Sequence, residues 1–304
     1  MHNNLRISAE VASALAERRP VVALESTIIS HGLPYPENLA AAKEFEGILK
    51  AMGVTPATIA VLDGGPTVGL TTAELELLSS GDFAKASVRD LGILRAKGLS
   101  GATTVAATAF IAAQAGIDVF ATGGLGGVHQ GFNENFDESA DLGELARASI
   151  IVVAAGVKSV LDIGATLERL ETLSVQVAGY RTNSFPAFWL PDSGYGLDWQ
   201  IDSPAEAHKV LREARNSGLS SALLLANPVP RDEAWEREEH DRVLTVALQS
   251  AKEAGISGKA VTPYLLEFIV KESGGRSLEV NLALVRNNIR LAGEVAIAGA
   301  KAGI

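Results

Sequence analysis

Ile150 to Tyr180 reads IIVVAAGVKSVLDIGATLERLETLSVQVAGY, and the reading of this stretch decides the fold. Ile150 to Ala154 is a run of apolar, mostly β-branched residues, the pattern of a strand. Ala155-Gly156 is a small-residue turn. From Lys158 to Leu173 the apolar residues recur at helical spacing, and Val175 to Tyr180 resumes as a strand. A strand–helix–strand unit this short lays its two strands parallel.

The same rhythm extends outward in both directions. Pro20–Leu24, Ala57–Leu62, Ala84–Val88, Val119–Thr122 and Ala222–Ala226 read as further strands. Helices are expected over Pro36–Met52, Thr71–Leu78 and Thr103–Ala115, and from Ser203-Pro204 to Gly218. Thr71 with Glu74, and Ser203 with Glu206, have the spacing of helix N-termini. Long helices follow over roughly 232–254, 263–273 and 277–301. The expected fold class is α/β, a mainly parallel sheet with helices on both faces. No repeat and no low-complexity linker divides the chain, so a single domain over 1–304 is expected. Phe185 to Trp199 is the longest irregular segment and reads as a loop or lid.

Composition excludes several chemistries. The chain has 304 residues, 47% of them hydrophobic and 20% charged, an ordinary balance for a soluble globular protein. It has no cysteine, which removes thiol catalysis, Cys-ligated zinc, iron–sulfur clusters and disulfides. The net charge is -10 and no basic patch stands out, so no nucleic-acid partner is expected. No apolar stretch is long enough to span a bilayer, and the N-terminus has no signal pattern. A cytoplasmic protein acting on a small molecule, with no membrane partner, is the expectation.

In open α/β sheets ligands bind beyond the carboxyl ends of the strands. That rule singles out Glu25-Ser26-Thr27, the Lys85–Asp90 region, Gly123 to His129, Gly156-Val157-Lys158 and Asn227-Pro228. Lys158 is expected in the first turn of its helix, where the positive end of the dipole favours the free amine that imine chemistry needs. The competing reading is a solvated surface lysine. Glu25 ends an apolar strand, a setting that raises a carboxyl pKa and suits an acid catalyst; an ion-paired or capping carboxylate fits the spacing equally. The segment 135–144, NFDESADLGE, is dense in oxygen donors suited to a hard divalent cation, although Asp141 and Glu144 also have capping-box spacing. Gly123–Gly127 (GGLGG) and Gly101–Thr104 (GATT) are weak anion-site signals beside ordinary turn and cap roles. His31 and His129 lie in turn contexts and read equally well as local hydrogen-bonding residues.

These segments resemble the pseudouridine-5′-phosphate glycosidase family, also called the indigoidine synthase A-like family. The resemblance runs through Val21–Pro36 (VVALESTIISHGLPYP), Gly101–Ala107 (GATTVAA), Thr122–His129 (TGGLGGVH), Phe136–Leu142 (FDESADL), Ala155–Gly164 (AGVKSVLDIG), Asn227–Pro230 (NPVP), Val261–Leu266 (VTPYLL), Ser277–Asn281 (SLEVN) and Asn287-Asn288. It implies reversible cleavage of the C–C glycosidic bond of pseudouridine 5′-phosphate into uracil and ribose 5-phosphate. It implies Lys158 as the nucleophile that forms an imine and Glu25 as the proton donor. By the same resemblance Lys85, Val105, Ser139, Ala140, Asp141 and Asn281 are substrate-binding positions, and Asp137 binds Mn²⁺ or another divalent cation, one per subunit. A homotrimer is implied too.

Three positions depart from the family pattern. Glu138 stands where an apolar residue is usual, Gln130 where arginine is usual, and Val157 where alanine is common beside the lysine. None removes a catalytic group. Glu138 bears on metal affinity and Gln130 on the charge near an anionic ligand. The alternatives are a C-glycosynthase or an imine-forming lyase acting on another ribose 5-phosphate derivative, and, outside catalysis, a sugar-phosphate sensor.

Overall fold

The computed structural model describes residues 5–256 and 261–302. Its strands are β1 (Arg6–Ile7), β2 (Val21–Leu24), β3 (Thr55–Leu62), β4 (Gly65–Val68), β5 (Ala84–Ala86), β6 (Gly101–Thr103), β7 (Val119–Ala121), β8 (Ile151–Ala154), β9 (Gln176–Tyr180), β10 (Gln200–Ile201) and β11 (Leu223–Ala226). The helices are α1 (Ala9–Ala16), α2 (Glu37–Ala51), α3 (Thr72–Ser80), α4 (Leu91–Lys97), α5 (Val105–Gln114), α6 (Phe132–Asn135), α7 (Ala140–Leu145), α8 (Ile163–Thr172), α9 (Pro204–Asn216), α10 (Arg237–Glu253), α11 (Val261–Glu272) and α12 (Arg276–Ala302).

The strands form one sheet in the order β1-β4-β3-β2-β7-β8-β11-β9-β10, with β6 on β3 and β5 on β6. From β3 through β10 every pairing along that path is parallel; β4 and β6 join β3 antiparallel. The fold is α/β, as the sequence rhythm implies. Every side chain of β2, β3, β8 and β11 is buried, so neither face of the central sheet meets water. α12 packs across β2, β7 and β8 and against α2 and α9, while α5 packs on β2 and β3 and against α7.

A buried amide network closes the sheet against α12. Asn288 donates to the carbonyls of Thr122 (2.8 Å) and Gly123 (3.2 Å) and accepts from Asn227 Nδ2 (3.0 Å). Asn287 donates to the Pro228 carbonyl at 3.0 Å. These bonds tie the outgoing ends of β7 and β11 to one helix. Asn288→Ala leaves two carbonyls and an amide without these partners in a dry core. It is expected to cost about 2–4 kcal/mol, read as a lower denaturant midpoint with an unchanged m-value.

Some sequence expectations need correction. The helix after β8 starts at Ile163, five residues later than the Lys158 start expected from the apolar spacing. Gly156 turns with φ +82°, Leu125 and Val157 pair as a parallel bridge, and the chain then turns over Lys158–Leu161, where the Leu161 N–H donates to the Lys158 carbonyl at 3.0 Å. The true cap is Asp162, whose side chain accepts the Ala165 N–H at 2.9 Å. Gly101–Thr103 is a strand, so the helix expected from Thr103 begins at Val105. Trp189, Leu190 and Phe185 are core residues, so only the later part of the Phe185–Trp199 segment is a surface loop.

Candidate active site

Because β2, β7, β8 and β11 are parallel, their carboxyl ends open on one edge. The chain leaves them at Glu25, Thr122, Ala155 and Asn227. The Thr122 hydroxyl donates to Glu25 Oε1 across the β2–β7 pair. Burial pushes the Glu25 carboxyl up from the usual carboxylate range; the Lys158 charge, the Thr122 bond and the Lys85 charge offset part of that rise. Lys85 sits on the short strand β5. Burial pulls its ammonium down, the Lys158 charge adds to that, and Asp141 and Glu25 oppose it. Glu25, Lys85, Lys158 and Asp141 therefore lie within electrostatic reach of one another.

Lys158 is held by its backbone. Its N–H donates to the Leu125 carbonyl at 3.1 Å, the Leu125 N–H to the Gly156 carbonyl at 3.0 Å, and the Ala155 N–H to the Gly123 carbonyl at 2.9 Å. The segment is thus zipped to the glycine loop. Lys158 stands before the helix, which begins at Ile163, and so lies outside the first turn where its dipole acts, contrary to the expectation from sequence. Among the described residues, its side chain is half-buried with no hydrogen bond or ion pair.

Asp141 is a buried clamp. Its two carboxylate oxygens accept the N–H of Ala106 at 2.9 Å and of Gly126 at 2.8 Å. One carboxylate so joins the start of α5, where Val105 is the first residue, to the glycine loop and to α7. Ser139 caps α7, accepting the Asp141 N–H at 3.2 Å, and its N–H bonds the Gly127 carbonyl at 2.9 Å. Val105, Ser139, Ala140 and Asp141 are thereby brought together. Asn281, on α12, closes the other side: its Oδ1 lies 3.5 Å from where a Cβ on Gly123 would stand.

The glycine-rich loop is built for packing. A Cβ on Gly124 would meet the Phe188 ring at 2.6 Å, and the Gly126 amide is committed to Asp141. The GATT segment is likewise committed. Thr103 donates to the Ile59 carbonyl at 2.6 Å, and Thr104 caps α5. The Gly126 amide and the Thr103 and Thr104 side chains are thus bonded within the protein.

Asp137 follows α6. Its carbonyl accepts the His129 N–H at 3.0 Å, and its Oδ2 lies 3.8 Å from His129 Nδ1. Burial lowers the His129 pKa, the Asp137 charge opposes it, and the charges on Lys85 and Lys158 add to it. His129, read from sequence as equally a local turn residue, thus belongs to the charged group. His31 is lowered by burial and then by Lys85. Glu138 turns out to be spoken for: both its oxygens accept from Arg169 at 2.9 Å. Among the described residues no three His, Asp or Glu side chains are placed to hold a metal. Asp137, with His129 beside it, is a donor pair. It fits a hard divalent cation held by one carboxylate and otherwise by water.

A cavity of about 700 Å³ lies elsewhere, between α8, β9, β10 and the 195–200 segment, and none of these residues lines it. The titratable groups meet at the strand ends: the Glu25 carboxyl, pushed up by burial, the amines of Lys85 and Lys158, and beside them the Asp137 carboxylate next to His129.

Residues 10–298 match the family model described as indigoidine synthase A like protein. The chain belongs to the indigoidine synthase A-like family. Among curated members, a pseudouridine-5′-phosphate glycosidase of Frankia alni is 55% identical, covering 98% of this chain and 83% of its own length. One from Streptomyces griseus is 54% identical, covering 97% and 92%. Among solved structures similar to this indigoidine synthase A-like chain is the prealnumycin C-glycosynthase AlnA in complex with ribulose 5-phosphate. Its TM-score is 0.92 at 36% identity, over 100% of this chain and 99% of that one. The indigoidine synthase A-like protein of Thermotoga maritima gives a TM-score of 0.88 at 36% identity, over 98% and 97%. Among the described residues no helix is long and apolar enough to cross a membrane.

Proposed function

We propose that this chain is a pseudouridine-5′-phosphate glycosidase, an enzyme that makes and breaks the C–C bond between uracil and ribose 5-phosphate. The observation that carries the reading is identity of 55% and 54% to two such glycosidases over nearly the whole chain. The meeting of Glu25, Lys85 and Lys158 at the strand ends supports it.

A C-glycoside has no exocyclic oxygen to protonate, so the two-carboxylate scheme of ordinary glycosidases gives no leaving group. An amine supplies another route. Lys158 Nζ condenses with C1 of the open-chain ribose 5-phosphate, releasing water, and the protonated imine is an electron sink. Uracil C5 attacks that carbon and loses its proton, and the ring oxygen then closes on C1 and displaces the amine. Cleavage is the reverse, with water consumed. Glu25 gives a proton to the ring oxygen as the ring opens, or to the departing uracil carbon. Lys85 offers its ammonium to the anionic substrate, and Val105, Ser139, Ala140 and Asp141 shape the site around it. Asn281 orients the base beside Gly123.

Asp137 would hold the divalent cation, Mn²⁺ being the family's usual choice, and when bound it supplies positive charge toward anionic oxygens. The reading includes one domain over 1–304, which rests on the lack of a repeat or dividing linker in the sequence, and a homotrimer, which rests on the resemblance.

Uracil release from pseudouridine 5′-phosphate, followed by absorbance, tests the reading. Release is expected with Mn²⁺, its loss with excess chelator, and its recovery when Mn²⁺ is returned. Asp137→Ala is expected to lose that recovery. Full activity in excess chelator refutes the metal assignment. Bond formation with another acceptor but not uracil favours the C-glycosynthase alternative, for which the likeness to AlnA speaks.

A further inference from the structure

We propose that Trp189 is a positioning residue for the carbon–carbon bond step, holding the Asn281 end of α12 in place against the loop that carries Lys158. The proposal rests on the roles given above to Lys158 and Asn281.

Phe185 to Leu190 (FPAFWL) runs as buried, non-helical chain behind the site. One side of it grips the nucleophile loop. The Phe188 N–H donates to the Ala155 carbonyl at 2.9 Å, and the Ser159 hydroxyl donates to the Ala187 carbonyl at 2.5 Å. Gly156 and Ala187 pair as an antiparallel bridge. Phe188 has φ +62°, a region that bulky residues rarely enter. That conformation puts its ring against Gly124, where a Cβ would stand only 2.6 Å away.

The next residue grips the other half of the site. Trp189 Nε1–H donates to the Ser277 carbonyl at 3.0 Å. In an α-helix that carbonyl also accepts the N–H of the residue four positions on, which here is Asn281. The indole therefore anchors the carbonyl to which the Asn281 backbone is bonded. Trp189 is 2% exposed, with its ring edge-on to Phe188 (5.2 Å between centroids) and Trp235 (5.5 Å). Its rotamer has no freedom in that packing. The Ser277 carbonyl already has its helical partner, so the added bond is not needed to satisfy it. What the bond fixes is where the first turns of α12 stand. Lys158 and Asn281, far apart in sequence, are thus referenced to two adjacent residues of one rigid segment.

The test compares Trp189→Phe, Asn281→Ala and the double variant with wild type, all loaded with Mn²⁺. A further variant carries 3-benzothienylalanine at 189, which keeps the ring shape and lacks the N–H. For both single Trp189 variants, kcat for uracil release is expected to fall ~10-fold or more, since small misplacements of reacting groups are costly. KM should change by less than about twofold. Borohydride trapping of ribose 5-phosphate on Lys158 should remain at the wild-type extent, because the Ala155 and Ser159 grips are untouched. The double variant should be no slower than Asn281→Ala alone, as expected of residues that act as a unit. Should Trp189→Phe fail to fold, the isosteric variant carries the measurement. Wild-type kcat in the isosteric variant, or losses that multiply in the double variant, would overturn the proposal. A wild-type enzyme that releases no uracil, or an Asn281→Ala variant with undiminished turnover, overturns the underlying reading, and is seen without any Trp189 variant.

Discussion

Lys158→Ala is expected to lose turnover by on the order of 10³-fold or more, the scale on which removal of a covalent nucleophile is felt, and to lose the borohydride-trapped sugar-phosphate adduct with it. Lys158→Arg should behave alike, because guanidinium keeps the charge but stays protonated and cannot form an imine. No helix dipole acts on this lysine, contrary to the expectation from sequence, since α8 begins at Ile163. What remains is geometric. The backbone of Lys158 is zipped to the glycine loop, its side chain is half-buried, and no described side chain claims its amine. Glu25 is within electrostatic reach. Lys85 is the competing amine, and its ammonium is pulled down by burial and by Lys158 itself. Peptide mapping of the adduct separates the two. An adduct on Lys158 that vanishes in Lys158→Ala and persists in Lys85→Ala supports the assignment. An adduct on Lys85 alone, or substantial turnover by Lys158→Ala, reverses it.

The strand ends were legible because buried parallel strands read as unbroken apolar runs, and the residue after each run falls on one edge. Glu25 and Asn227 are found that way, whereas Thr122, which the sequence reads as the last residue of its strand, lies just past the strand's end at Ala121. The start of α8 was not legible, because Val160 and Leu161 fit a helical stripe as well as the packed turn they occupy, both being buried. Asp162 before Ile163 was the local signal, a cap residue inside what read as one helix. The partners of Glu138 and Asn288 were out of reach for a different reason. Arg169 lies 31 residues from Glu138, and Asn227 lies 61 from Asn288, so only the assembled fold brings them into contact. The segment FPAFWL carried a compositional hint of burial, but its proline and lack of period read as a loop. The left-handed turn at Phe188 that seats it has no sequence signature.

Glu25→Gln is expected to cost ~10²–10⁴-fold in kcat/KM, the range for loss of a general acid, while making the protein more stable at alkaline pH. Both effects follow from one cause. Burial raises the Glu25 carboxyl above its unfolded value, so the folded protein holds that proton more tightly than the unfolded chain does. The stability this contributes is fully present below the unfolded pKa and is lost as pH rises through the folded one. Above that point wild type carries a carboxylate where burial disfavours it, and glutamine does not. The Thr122 hydroxyl that bonds Glu25 Oε1 can donate equally to the glutamine carbonyl, so the exchange leaves no orphaned group there. Melting temperatures of the two proteins should therefore diverge in favour of Glu25→Gln as pH is raised and converge toward pH ~4, near the unfolded value. In wild type the alkaline limb of the kcat/KM profile should fall through the same raised pKa, because the donor must be protonated in the free enzyme. A variant with normal turnover, or one less stable than wild type by a constant amount at every pH, would remove Glu25 from the acid role and leave it as a structural ligand of Thr122.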